Sequence, residues 1–537
     1  MHGTWRSLAR QAKATCTRAA QAIALMAAMW ASPTLAADLD NSTELTGTIL
    51  LAQQQNSYTF AVNAGDSVLA RVGRTSGTLQ PRVRIYAPNG SEVTSNINLC
   101  GNTVSGHNFR ATQSGTYTLT LADCSTNLNN TGSYRLHFLR APGGNEGGNT
   151  GTAGDTVAGD ITIGDIDSHV VQASAGDSVL VRVGATSGTL KPRLRIYAPD
   201  GSEVTSSTNL CNVGVSGHAF QATQTGTYTA VTADCSTYLD GTGTYELHAV
   251  KAPGGQDGGT PVPDGRATAG SITLGDLDAH AINATAGEGI LVRVGATSGT
   301  LKPRLRIYAP DGSEVTSNTN LCDASVSGHA FQATQTGTYT AVTADCSTYL
   351  NGTGDYNLHV VRAPGANEGG SLNDAAAHAA HIDVGDLDSF TLTANAGDAI
   401  RLSAVNQSTA TQSLRLRVYG PTGAETTFNT NTCNNPASAY NFTASAAGTY
   451  TVVVADCTTY LNGTGDYTLM ATGATGTPPS SGAGNDSGDV PLPAWALALL
   501  GGALMRSAWQ RGQGQGAGVG GRWASSHPCS GSGRPKK

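Results

Sequence analysis

Eight cysteines stand as four pairs, Cys100/Cys124, Cys211/Cys235, Cys322/Cys346 and Cys433/Cys457, with a spacing of 24 inside each pair and a register of 111 from pair to pair. The same register relates the other residues able to do chemistry, so each copy is a control on the rest. Three histidine columns run through the copies and none is complete. His169 and His280 correspond to Tyr58 and Phe390, His107, His218 and His329 to Tyr440, and His137, His248 and His359 to Met470. Exchange with aromatic or Met side chains suits half-buried packing positions better than metal ligation or acid–base work. His378 and His381 lie between copies and are isolated.

The carboxylate pairs Asp165/Asp167, Asp276/Asp278 and Asp386/Asp388 offer the oxygen ligands that Ca2+ takes. The first copy has Gln54 and Asn56 in their place, and the motif supplies no third acid. Turn formation ahead of a strand is therefore the expected role, and no cofactor is expected. Asp123, Asp234, Asp345 and Asp456, just before the second cysteine, recur in all four copies and should hydrogen-bond locally at a strand end. Nothing resembles a nucleophile elbow, a zinc-binding helix, a phosphate loop or a Cys-x-x-Cys site. The chain reads as a non-enzyme.

Arginine is the remaining candidate. Arg82/Arg84, Arg193/Arg195, Arg304/Arg306 and Arg415/Arg417 alternate with apolar residues, which forces both members of each pair onto one outer strand face. Arg71, Arg182 and Arg293 would add a third charge within the same copy if the adjoining strand pairs suitably. Such a stripe is either a solvated face paired with nearby acids or a weak anion site repeated four times for avidity.

The elements that carry these residues are short strands. In the second copy, segments such as Ser178 to Val183, Arg193 to Tyr197 and Thr227 to Thr232 alternate with period two and are separated by turn signals such as Ala198-Pro-Asp-Gly201. Seven or eight such strands in about 100 residues, with no helical period, predict an antiparallel β-sandwich. The copies occupy residues 42–141, 154–252, 266–363 and 380–472, with Gly- and Pro-rich linkers between them that predict independent beads. Each cysteine pair is expected to staple its own copy, contributing about 3 kcal/mol in the chain-entropy model.

Residues 1–37 have a basic start, an apolar run from Ala19 to Ala31 and small residues before Asp38, the pattern of a secretory signal. Export accounts for the cysteines, because disulfides persist outside the cytoplasm. Between the basic ends, 21 Lys and Arg face all 38 Asp and Glu, so the exported body carries a net charge of −17. That excludes bulk attraction to nucleic acid.

The order Gly-Asp-x-Asp-x-aromatic, Ala-Gly-Asp, x-Leu-x-Ile-Tyr-x-Pro-x-Gly, Gly-Thr-Tyr-Thr and Gly-Thr-Gly-x-Tyr-x-Leu resembles the bacterial pre-peptidase C-terminal domain. The resemblance implies a jelly-roll sandwich, found beside secreted proteases and on surface proteins, in which Ca2+ is sometimes bound. The expected fold is therefore all-β, four tandem jelly-roll-like antiparallel sandwiches. After a linker at 473–489, residues 490–511 open with Val490-Pro-Leu-Pro-Ala494, continue through an apolar run and end in Arg506 and Arg511. This resembles a PEP-CTERM sorting signal, which implies at least transient residence in the inner membrane and a processing peptidase as partner. The tail, 512–537, is Gly-rich and basic and reads as disordered.

These readings give an exported, non-enzymatic envelope or matrix protein whose repeats bind polysaccharide or protein, with an anionic polysaccharide as the partner of the arginines. The alternatives are a hydrolase- or protease-associated accessory protein and a passive surface spacer.

Overall fold

A computed structural model describes residues 37–93, 100–151, 153–204, 211, 213–315, 322, 324–407, 411–426 and 437–477. The expected export signal, the sorting segment and the basic tail lie outside these residues, as does Cys433.

Each copy is a sandwich of two antiparallel sheets. In the second copy, Ala153–Ile161, Gly243–Ala252, Ser178–Ala185 and Val215–Gln221 form a four-stranded sheet in that spatial order. Ile166–Ala173, Gly226–Asp234 and Pro192–Tyr197 form the facing three-stranded sheet. The same order recurs in the third and fourth copies. In the first, the smaller sheet gains Ala37–Asp38 and Glu92–Val93 and has five strands. The chain alternates between the sheets, the jelly-roll manner of closing two half-buried faces on each other.

Period-two alternation supplies each core. Val179, Val181 and Val183 from one sheet meet Leu194, Ile196, Tyr228 and Ala230 from the other, all buried. Gly159 is required opposite Tyr245: the phenol ring lies over the glycine on the paired strand, where a Cβ would collide with it. Three disulfides close within their own copies, Cys100–Cys124, Cys211–Cys235 and Cys322–Cys346, with Cα atoms 5.5, 5.2 and 5.2 Å apart. Cys457 is also disulfide-bonded.

The bead expectation does not hold, because the faces that alternation leaves outside the sandwiches are themselves apolar. The four-stranded sheet of one copy packs on the three-stranded sheet of the next. Leu69, Leu139 and Ala141 meet Ile166, Tyr197 and Val231 at the first junction. Leu180, Val250 and Ala252 meet Leu277, Tyr308 and Val342 at the second, and Leu291, Val361 and Ala363 meet Leu387, Tyr419 and Val453 at the third. Burying one such Leu or Val contributes about 1.5–3 kcal/mol. The linkers are docked as well: Gly147 N donates to Ser168 O at 2.8 Å, and Asn149 bridges Val170 as a parallel edge. Residues 37–477 thus lie within a single compact unit.

Candidate binding site at the repeat junctions

Stacking assembles side chains from two copies at each junction. The Arg71 guanidinium does not join Arg82 and Arg84 of its own copy, as expected, but reaches across to the second copy. There its Nη1 donates to the Asp234 carbonyl at 2.8 Å. Arg182 and Arg293 make the equivalent bonds to the Asp345 and Asp456 carbonyls, both at 2.8 Å. Burial pushes Arg71 down to about 10; the Asp234 carboxylate opposes this, and Arg195 and Arg193 push the same way. The third charge therefore belongs to the following copy.

The result is a cleft at each of the three junctions. The first, about 190 Å3, brings Arg71 and His107 of one copy against Arg193 and Arg195 of the next, over a floor that includes Leu69 and Val231. The second, about 200 Å3, has Arg182, His218, Arg304 and Arg306, and the third, about 150 Å3, has Arg293, His329, Arg415 and Arg417. Arg82 and Arg84 occupy the same strand positions in the first copy, which no other described copy precedes. One member of each pair meets a local acid: Arg84 lies 3.6 Å from Glu92, Arg195 3.7 Å from Glu203, Arg306 3.8 Å from Glu314 and Arg417 3.5 Å from Glu425. The other member is less satisfied. The buried Nε atoms of Arg82, Arg193, Arg304 and Arg415 have no hydrogen-bond partner among the described residues, nor do Nη1 of Arg182 and Arg293.

Asp234 anchors the rim. Its Oδ1 accepts from Lys191 N at 3.0 Å, while Oδ2 accepts from Ser236 N at 3.2 Å, Ser236 Oγ at 2.5 Å and Gly241 N at 3.1 Å. Asp345 repeats the pattern with Lys302, Ser347 and Gly352. This is the local strand-end bonding expected of the column. It also fixes the turn after the second cysteine, in which Leu239 holds φ at 56°.

A second polar cluster lies at the same junctions. His137 Nδ1 is 2.8 Å from Asp165 Oδ1 of the next copy, His248 3.1 Å from Asp276, and His359 3.0 Å from Asp386. Asp167 and Asp388 are buried and Asp278 half-buried: Tyr245 Oη donates to Asp167 at 2.7 Å, Tyr356 to Asp278 at 2.7 Å and Tyr467 to Asp388 at 2.6 Å. His169 and His280 bond the first two of those phenols at 2.8 Å, and burial pushes both imidazoles down to about 4. Sequence spacing missed a third acid, which the linker supplies. Glu146 joins Asp165 and Asp167, and Glu368 joins Asp386 and Asp388, with ligand oxygens within 4.8 Å of one another. The set fits Ca2+ poorly. Asp165 already accepts from Thr162 N and Ile166 N and faces His137, and Asp167 accepts from Tyr245, whereas Ca2+ takes six to eight oxygens.

No protein-family model and no curated protein matches the chain. Among solved structures it is similar to the pre-peptidase C-terminal domain of collagenase from Bacillus anthracis, with 18% identity over 20% of this chain and 98% of that one, and a TM-score of 0.17. It is also similar to a chain of Sulfolobus turreted icosahedral virus, at 11% identity over 60% of this chain and 90% of that one, with a TM-score of 0.16. A triple-jelly-roll turret protein of an archaeal virus follows at 9% identity, covering 62% and 84%, with a TM-score of 0.13. Likenesses at this level carry no functional assignment, and the sandwich fold rests on the sheets described above.

Proposed function

We propose that the chain is an exported, non-enzymatic interaction protein of the cell envelope or matrix, in which four sandwiches are held in one stack and present a row of equivalent surfaces to a polysaccharide or protein. The observation that supports this most directly is the cleft repeated at three junctions, with the same residue types contributed from the same strands each time. A sequence under no demand beyond length has no need to keep partly unsatisfied arginines in an otherwise acidic body. The disulfides are consistent with an oxidising compartment. The His–Asp contacts outside the clefts join neighbouring copies, and the Tyr–Asp bonds beside them tie strands within a copy, structural roles that favour interaction over catalysis.

A glycan and matrix-protein array probed with the full chain tests this reading. Saturable, salt-sensitive binding to an envelope or matrix polymer is the expected result. An array blank for every ligand, with the protein folded and disulfide-bonded, would make the spacer reading the better one.

A further inference from the structure

We propose that each junction cleft is a site for one acidic sugar unit, so that the stack grips an anionic polysaccharide at three places; this rests on the interaction reading above and names its ligand. The first support is charge. Two copies converge three arginines on each cleft, beside an apolar floor. A planar guanidinium fork matches a carboxylate or sulfate bidentately, and an apolar floor makes that contact stronger by excluding water.

The second support is independent of charge. Tyr238, Tyr349 and Tyr460 stand on the turn after the second cysteine, and they are 58%, 56% and 55% exposed. Tyr238 lines the first cleft directly, and the neighbouring Leu239, Leu350 and Leu461 line the three clefts in turn. The corresponding residue of the first copy is Asn127. The tyrosine is thus present in the three copies whose arginines face a preceding copy and absent from the one that faces no other described copy. Packing does not explain a ring left in water by a turn fixed through Asp234. A rigid exposed ring beside arginines offers a flat apolar face to the C–H side of a pyranose while the guanidinium takes the acid group.

The net charge of −17 opposes bulk attraction to any polyanion, so an acidic polymer is held only where its acid groups enter the arginine-lined clefts. Three weak sites on one stack then act by avidity.

The test uses the full chain with polygalacturonate as the acidic polymer and dextran as the neutral one. The variants are R193Q/R304Q/R415Q at the cleft arginines, Y238A/Y349A/Y460A on the turn, and the single changes R193Q and R82Q. Polygalacturonate should bind and dextran should not. Each triple variant should lose tenfold or more in affinity, R193Q should weaken binding measurably, and R82Q should bind as the unaltered chain does. Equal binding of dextran, no binding of polygalacturonate, an effect of R82Q matching that of R193Q, or undiminished binding by the tyrosine triple would each overturn the proposal. The tyrosines are exposed, so their variant decides the matter even if the arginine triple folds poorly. Binding of a different envelope polymer that neither triple variant weakens would reject the clefts while leaving the interaction reading in place.

Discussion

Asp167 lies beneath Tyr245 with Asp165 and Glu146 beside it, and burial first, then the neighbouring Asp165 charge, pushes its carboxyl up to about 8. Asp388 is pushed to about 8 and Asp278 to about 7, in each case by burial first, as is the half-buried Glu368 to about 7. These acids hold protons more tightly in the folded state than in the unfolded one, where they titrate near pH 4. Their contribution to stability is therefore complete below about pH 4 and is lost as pH rises through 7 to 8. His169 and His280 act in the opposite sense. Their depressed values mean a contribution present above about pH 6.5 and lost as pH falls toward 4. Above pH 6.5 the acid effect and the raised His359 and His381, whose contributions are also lost as pH rises, act in the same direction, so the melting temperature should fall between pH 6.5 and 9. The variant D167N/D278N/D388N, which keeps an acceptor for each tyrosine, should flatten that fall. Calorimetric scans across this range check it, and an unchanged slope in the variant would show that these acids are not its source.

At the scale of the strand, the incomplete columns acquire a cause. Copies one to three present Leu69, Leu180 and Leu291, then Arg71, Arg182 and Arg293, then Gly73, Gly184 and Gly295 to the following copy, and the fourth copy has Arg401, Ser403 and Val405 there. On the opposite face, Asp165, Ile166 and Asp167 are replaced by Gln54, Gln55 and Asn56 in the first copy. The end faces have no described neighbour to pack against, and terminal repeats of stacked proteins carry polar substitutions for that reason. A Cβ on Gly184 would collide with the backbone carbonyl of Leu274 in the next copy, whereas Val405 is 43% exposed. Gly184→Val should therefore destabilise the second junction by about 1–3 kcal/mol. Removing the staple by C211S/C235S should cost about 3 kcal/mol within the second copy. Denaturant titration of each variant measures both costs. Strands, turns and disulfide pairing were legible in the sequence, since period-two alternation and cysteine spacing are local or repeat within one copy. The clefts were half legible: alternation placed Arg193 and Arg195 on one face, but nothing local says that Arg71 crosses to them. Requiring a functional group in every copy discarded the His137 and Asp165 columns, although their absence at opposite ends was itself the sign that one partners the other across a junction.

For the whole molecule, the question is whether four copies unfold as four or as fewer units. An isolated third copy, residues 266–363, would expose Leu277, Tyr308 and Val342 on one face and Leu291, Val361 and Ala363 on the other, all buried in the stack. It would also lose the Arg182 bond to the Asp345 carbonyl and both of its His–Asp contacts. Its own sandwich core, built on Ile290, Val292, Leu305, Ile307 and Tyr339, remains complete, and so does Cys322–Cys346. The fragment should therefore fold but be several kcal/mol less stable than the same copy within the stack, since each junction buries several large apolar side chains. In nearest-neighbour terms, a two-copy fragment covering residues 154–363 should recover part of the difference and melt in fewer transitions than it has copies. Scanning calorimetry of the one-copy, two-copy and full chains decides this. Equal melting temperatures for all three would mean that the junctions carry no net free energy and that the copies are beads after all. A rise in both stability and cooperativity with copy number would show that the interfaces between sandwiches, along with the sandwiches themselves, hold the clefts in place.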